Sequence, residues 1–79
     1  MLNIKILGGG CANCKRLEAL TREVAGTLEI EADFVKVTDP NDIKKYPILN
    51  TPGLVVNEKL VSAGRIPSKT EIEGWLKAA

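Results

Sequence analysis

The chain has 79 residues, with 11 lysines and arginines against 10 aspartates and glutamates, so its formal net charge is +1. This length allows a single domain, residues 1–79, and it is too short for a catalytic domain joined to a separate substrate domain. A nearly neutral chain offers no basic surface for nucleic acid or anionic lipid, so we expect neither as a partner.

The N-terminal stretch "MLNIKIL" predicts neither a signal peptide nor a membrane anchor. It contains a charge and lacks the apolar stretch and cleavage site of a signal peptide. No run in the chain approaches the ~20 apolar residues that a membrane span needs. We therefore expect a cytoplasmic protein without membrane association. In that reducing compartment a lone cysteine pair is seldom a structural cross-link.

The first two elements predicted are a strand and a helix. Alternating apolar residues in Leu2–Leu7 indicate a strand, which the glycines at positions 8 to 10 end. From Ala12 onward, apolar residues recur at helical spacing, at Leu17, Leu20, Val24 and Leu28. Gly26 indicates that this helix stops close to it.

The middle of the chain predicts a second strand and a short helix. Ile30–Val37 has apolar residues on both faces, so we expect a strand that is covered on both sides. The strand, helix, strand order implies a parallel crossover connection. Asp39 before Pro40 predicts the start of a short helix, which Pro47 ends.

The last third of the chain predicts a hairpin and a final helix. The stretches "GLVVN" and "KLVSAG" read as strands joined by a tight turn at Asn57-Glu58. Ser68 and Glu71 form a capping box that starts the final helix. The order β-α-β-α-β-β-α therefore predicts an α/β fold, with a four-stranded mixed sheet flanked by helices.

Cys11 and Cys14 are the residues most indicative of chemistry, in the stretch "LGGGCANCK". Their spacing at a helix start brings both sulfurs to one side, where a disulfide could close with little distortion. Unpaired N–H groups and the helix dipole there favour a Cys11 thiolate. Cys14 lies one turn further into the helix and is better suited to attack a mixed disulfide. Redox or metal chemistry is a better interpretation of this pair than two small buried hydrophobic residues.

Gly10 and the two glycines before it have two interpretations. They leave room for the backbone of a client protein to approach Cys11, or they serve the conformation of the turn. On the first interpretation Gly10 is part of the client-binding surface. A nucleotide-binding loop is a poorer interpretation, because neither characteristic glycine spacing is present.

Three stretches in this order resemble the thioredoxin superfamily: "ILGGGCANCKRLE", "VTDPNDIKKY" and "TPGLVVNEKLVSAGRIPS". More narrowly, they resemble its small glutaredoxin-like redox-active disulfide proteins from archaea and bacteria, and the resemblance covers nearly the whole chain. It implies a thioredoxin-like fold in which Cys11 is the attacking thiol and Cys14 the resolving thiol. It further implies that Pro52 is a cis-proline opposite the pair, and that the backbone of Thr51 pairs with an extended client segment.

The chain departs from the thioredoxin pattern at several positions. Thioredoxins usually have tryptophan before the first cysteine and Gly-Pro between the two, whereas this chain has Gly10, Ala12 and Asn13. Lys5 stands where thioredoxin has a buried acid, six residues before the attacking cysteine. Lys5 would favour a nearby thiolate, or its amine would extend to water.

The sequence thus predicts a thiol-disulfide oxidoreductase that needs no bound cofactor. Its expected partners are disulfide-containing client proteins, with a disulfide reductase or a small thiol as the reductant. Nothing in the sequence demands a dimer, so we expect a monomer.

Two alternative functions remain open at this point. "GGGCANC" also resembles the turn of copper-transport domains, which bind Cu(I) through two soft thiolates. The other alternative is a redox sensor, whose disulfide changes partner affinity without turnover. Structural zinc is disfavoured, because two cysteines in a chain without histidine complete a tetrahedral site only by dimerising.

Overall fold

The computed structural model describes residues 2–8, 12–48 and 50–79. Its elements are β1 (Leu2–Leu7), α1 (Ala12–Thr27), β2 (Ala32–Val37), α2 (Pro40–Ile43), β3 (Gly53–Val56), β4 (Lys59–Ala63) and α3 (Lys69–Ala78). This order confirms the predicted α/β fold. Across the described ranges, none of the helices combines the length and apolar character needed to cross a lipid bilayer.

The four strands form one mixed sheet in the order β2-β1-β3-β4. β1 runs parallel to β2, with Ile4 opposite Phe34, and antiparallel to β3, with Ile4 opposite Val56. β3 and β4 are an antiparallel hairpin. Asn57 and Glu58 have φ angles of 49° and 69° at its turn, the positive values that a two-residue hairpin turn requires. The two central strands are therefore β1 and β3.

The main core lies on the face of the sheet that α1 and α3 cover. It is built from Ile4, Ile6, Leu17, Val24, Ala25, Leu54, Val56, Ile72 and Leu76. Successive side chains of a strand point to opposite faces, so Lys5 and Leu7 of β1 lie on the other face of the sheet. There the Lys5 amine contacts Tyr46, and Ile48 lies beside Leu7 at the start of β3. The segment after α2 thus covers the second face.

β2 corrects the prediction that both of its faces are covered. Val35 is 48 % exposed, because β2 is an edge strand and little covers its second face. α2 has four residues and is about 6 Å long, whereas the six residues of β2 extend over about 20 Å. The helix is too short to cover the strand.

The C-terminal end of α1 lies close to Gly26, as predicted, and the left-handed residue that follows the helix is Glu29. Gly26 lies inside the helix, which continues to Thr27. Glu29 has a φ of 55°, and its N–H donates to the Gly26 carbonyl at 3.1 Å. A left-handed residue commonly follows a helix end and is usually glycine, whereas here Glu29 adopts that conformation, two residues after Thr27.

The predicted capping box at the start of α3 is confirmed. Ser68 Oγ accepts from the Glu71 N–H at 3.2 Å, and Glu71 Oε1 accepts from the Ser68 N–H at 3.1 Å. Arg65 also donates to both carboxylate oxygens, at 3.0 and 2.7 Å. The Arg65 hydrogen bond is the main cause that lowers the pKa of Glu71 to about 2.

We expect the contribution of Glu71 to stability to fall in acid. Its pKa is below the ordinary 4.5 in the folded chain, so the unfolded chain binds more protons between the two values. The contribution is therefore complete above about pH 5 and is lost towards about pH 2. Urea unfolding should show that the wild type and Glu71→Gln differ less in their free energy of unfolding at pH 3 than at pH 7. Glu73→Gln is the control on the same helix, and an equal Glu71→Gln effect at both pH values would contradict the prediction.

Candidate active site

The candidate site lies where the last residues of β1 meet the segment that leads into β3. Leu7 and Gly53 are opposite each other in the antiparallel register. Gly8 follows β1 directly, and its N–H donates to the Val37 carbonyl at 2.9 Å, which holds it beside the end of β2. Pairing of the central strands thus brings residues that are far apart in sequence to one end of the sheet.

Cys14 lies at this end of the sheet, in the first turn of α1. Its side chain is buried, with 4 % exposed, and it is disulfide-bonded. Two other predicted site residues, Cys11 and Gly10, lie outside the described residues. Of the predicted pair, the structure therefore describes Cys14, which lies beneath the surface.

The side chains of Cys14 and Thr51 both lie close to the backbone of Gly8. A Cβ atom on Gly8 would overlap Cys14 Sγ, and it would lie 3.3 Å from Cys14 Cβ and 3.7 Å from Thr51 Cβ. Cys14 and Thr51 therefore converge on the bare backbone of Gly8. Sequence reasoning missed this residue, because it treated the glycines as a turn or as space for a client. The available signal was a glycine directly after a buried strand, where another group often approaches the backbone closely.

Thr51 and Pro52 form the other side of the site. Their peptide bond is cis. Thr51 is exposed and Pro52 is buried. The Pro52 carbonyl accepts from the Gly64 N–H at 2.9 Å, which fixes this segment to the end of β4. Thr51 is thus exposed to solvent beside Gly8, and its segment is held by the buried Pro52 and the hydrogen bond from Gly64.

A pocket beside Cys14 is lined in part by Glu18 and Lys36. The Glu18 carboxylate accepts from Lys36 Nζ at 3.1 Å and from Arg22 Nε at 3.0 Å. The Lys36 hydrogen bond is the largest cause that lowers the pKa of Glu18, and burial opposes it. Glu18 is therefore ionised at neutral pH, and its lowered pKa makes it a weak base towards a thiol.

Lys5 lies on the face of the sheet opposite α1. Its Nζ donates to Glu58 Oε1 at 2.6 Å and to the Tyr46 hydroxyl at 3.1 Å. The hydrogen bond to Glu58 is the largest cause that raises the pKa of Lys5. The structure thus gives Lys5 partners that neither sequence interpretation named. The sequence pattern around Lys5 gave little indication of these partners, because they are 41 and 53 positions away in sequence.

A metal centre built from three or more side chains is not found in residues 2–8, 12–48 and 50–79. Within those ranges, no group of three histidine, cysteine, aspartate or glutamate side chains is arranged to hold an ion.

Comparison with known proteins gives consistent matches over nearly the whole chain. Residues 2–77 match the family model described as a thioredoxin domain, a range that includes both cysteines and Thr51-Pro52. A thioredoxin of Methanothermobacter thermautotrophicus is 41% identical over 73 residues, which cover 92% of this chain and 95% of that protein. A thioredoxin of Methanocaldococcus jannaschii is 37% identical over 78 residues, which cover 99% of this chain and 90% of that protein.

Proposed function

Because this chain belongs to the thioredoxin family, we propose that its thiol-disulfide oxidoreductase activity uses Cys11 and Cys14 as the reacting pair. Thr51 and Pro52, together with Gly10, form the surface that receives the client. The observation that carries this assignment is the convergence of Cys14 and Thr51 on the backbone of Gly8.

The proposed reaction is a two-step exchange. The Cys11 thiolate attacks one sulfur of a client disulfide, so the client S–S bond breaks and one client thiolate leaves. Cys14 then attacks the Cys11 sulfur of the mixed disulfide. The second client thiolate leaves, the Cys11–Cys14 disulfide forms, and the client has gained two electrons and two protons.

The burial of Cys14 supports its role as the resolving thiol. A side chain that is 4 % exposed is poorly accessible to a sulfur in a bulky client. It can still react with a sulfur on its own chain three positions away. This arrangement favours attack on the mixed disulfide over attack on a second client.

The proposed partners follow from this exchange. Disulfide-containing proteins are the clients, and a disulfide reductase or a small thiol returns the oxidised pair to the dithiol. We place the reaction in the cytoplasm, with the protein acting as a monomer and without a bound cofactor.

The test is the reduction of insulin disulfides by the dithiol form in the presence of a metal chelator. We expect turnover by the wild type, no turnover by Cys11→Ser, and a trapped mixed disulfide with Cys14→Ser. An inactive wild type in which one Cu(I) per chain protects both thiols from alkylation would replace this proposal with copper binding. A pair that oxidises reversibly but never turns over would indicate a redox sensor.

A further inference from the structure

We propose that Lys5, Tyr46 and Glu58 form a clamp that positions Thr51 and Pro52 for client binding. The inference rests on the proposed function of the site, and it assigns these three as positioning residues, because they act through the segments that they hold. They are absent from the exchange reaction itself.

The clamp is a closed triangle of hydrogen bonds. Lys5 Nζ lies 2.6 Å from Glu58 Oε1 and 3.1 Å from the Tyr46 hydroxyl. The Tyr46 hydroxyl lies 3.2 Å from Glu58 Oε2. Lys5 Nζ also lies 5.8 Å from the centre of the Tyr46 ring, within reach of a cation–π interaction. The Lys5–Glu58 bond joins two charged groups and each of the other two bonds has one charged partner, and charge-assisted hydrogen bonds are shorter and stronger than neutral ones.

The three residues come from three different parts of the fold. Lys5 is in the central strand β1, Tyr46 follows α2, and Glu58 is in the turn between β3 and β4. Tyr46 precedes β3 in the chain and Glu58 follows it. The clamp therefore ties the segment before β3 and the turn after it to a single amine, that of Lys5 on the neighbouring strand β1.

A short series of contacts links the clamp to the site. The Tyr46 carbonyl accepts from the Ile48 N–H at 2.8 Å. The Ile48 side chain fills the space where a Cβ of Gly53 would lie. Gly53 is bonded directly to Pro52. If Tyr46 moves, Ile48 loses its position over Gly53, and the segment that presents Thr51 is less restrained.

The exposure of Lys5 agrees with this role. Its side chain is 26 % exposed, against 62 % for Glu58, so most of the Lys5 side chain is covered by its surroundings. A lysine that only extended to solvent would not place its amine within reach of a tyrosine hydroxyl and a carboxylate at once.

The test combines amide exchange with steady-state kinetics on Lys5→Met and Tyr46→Phe. The first change removes the charge and the second removes only the hydroxyl. The control is Lys69→Met, the same change at a lysine whose partner, Glu23 at 3.2 Å, joins α3 to α1. The Gly64 amide reports on the site directly, because it donates to the Pro52 carbonyl. The Leu28 amide, which donates to Val24 at 3.0 Å, is the reference.

We expect Gly64 to exchange about tenfold faster in both clamp variants, with Leu28 unchanged, because the opening is local. The KM for insulin should rise about fivefold with kcat little changed, since a looser site costs binding. The kcat/KM for a small aromatic disulfide, 5,5′-dithiobis(2-nitrobenzoate), should stay the same. Lys69→Met should leave all of these values unchanged.

Unchanged Gly64 exchange or an unchanged KM for insulin in both variants would overturn the clamp. Faster exchange at Gly64 and Leu28 alike would also overturn it, because the three residues would then stabilise the whole fold. If the wild type reduces neither disulfide, the proposed function fails. The client-binding role of the clamp then fails with it, and exchange at Gly64 still decides whether the clamp holds Pro52.

Discussion

Replacing Gly8 with alanine should lower the rate of insulin reduction by about 10²-fold, the cost of a misplacement near 1 Å in a reacting group. The added Cβ would overlap Cys14 Sγ and lie 3.3 Å from Cys14 Cβ, so Cys14 or the backbone of β1 must move. Cys14 is short and buried, and its side chain has little freedom to turn away. The same overlap should lower the free energy of unfolding by about 1–3 kcal/mol.

The matched control for this change is Gly26→Ala. Gly26 lies inside α1, and a Cβ there meets nothing within 4 Å. Alanine is favoured over glycine in a helix by about 1 kcal/mol, so this variant should be slightly more stable and fully active. Insulin reduction and urea unfolding of both variants provide the measurement. Wild-type activity in Gly8→Ala would show that the close packing of Gly8 against Cys14 is not needed for turnover.

Leu17→Ala should lower the free energy of unfolding by about 2–5 kcal/mol, the range for large-to-small changes in a core. Leu17 is in α1, one turn after Cys14, and its side chain is fully buried in the main core. Removing it leaves a cavity between the helix and the sheet. In a domain of this size, the melting temperature should fall by roughly 10 °C or more.

Leu20→Ala is the control for Leu17→Ala. Leu20 is on the same helix and is only partly buried against the core. Leu20→Ala should therefore lower the free energy of unfolding clearly less than Leu17→Ala does. Thermal unfolding followed by circular dichroism compares the two variants. Equal losses at Leu17 and Leu20 would mean that α1 faces the sheet differently from the arrangement described above.

Most elements of the fold could be predicted because their signals are local. Alternation in Leu2–Leu7, the capping box of Ser68 and Glu71, and the turn at Asn57-Glu58 each depend on a few neighbouring residues. The same holds for the short helix, where Asp39 accepts from the Asn41 N–H at 2.9 Å. A local pattern of this kind is visible before any tertiary contact is known.

The features that sequence reasoning missed depend on contacts between distant residues. The exposure of Val35 follows from the place of β2 at the edge of the sheet, which its own apolar pattern does not encode. The convergence of Cys14 and Thr51 on Gly8 depends on how β1 and β3 pair. The roles of Cys11 and Gly10 stay predictions from the sequence and from the family resemblance.

Pairing of β1 with β3 also has a consequence for synthesis on the ribosome. Ile4 pairs with Val56, so the sheet cannot close until most of the chain has been made. Thr51 follows Cys14 by 37 positions, an interval of about 2–7 s at 5–20 residues per second. During that interval the growing chain carries its cysteines without the neighbouring segment that completes the site. The site is thus completed late in synthesis, although both cysteines are among the first residues made.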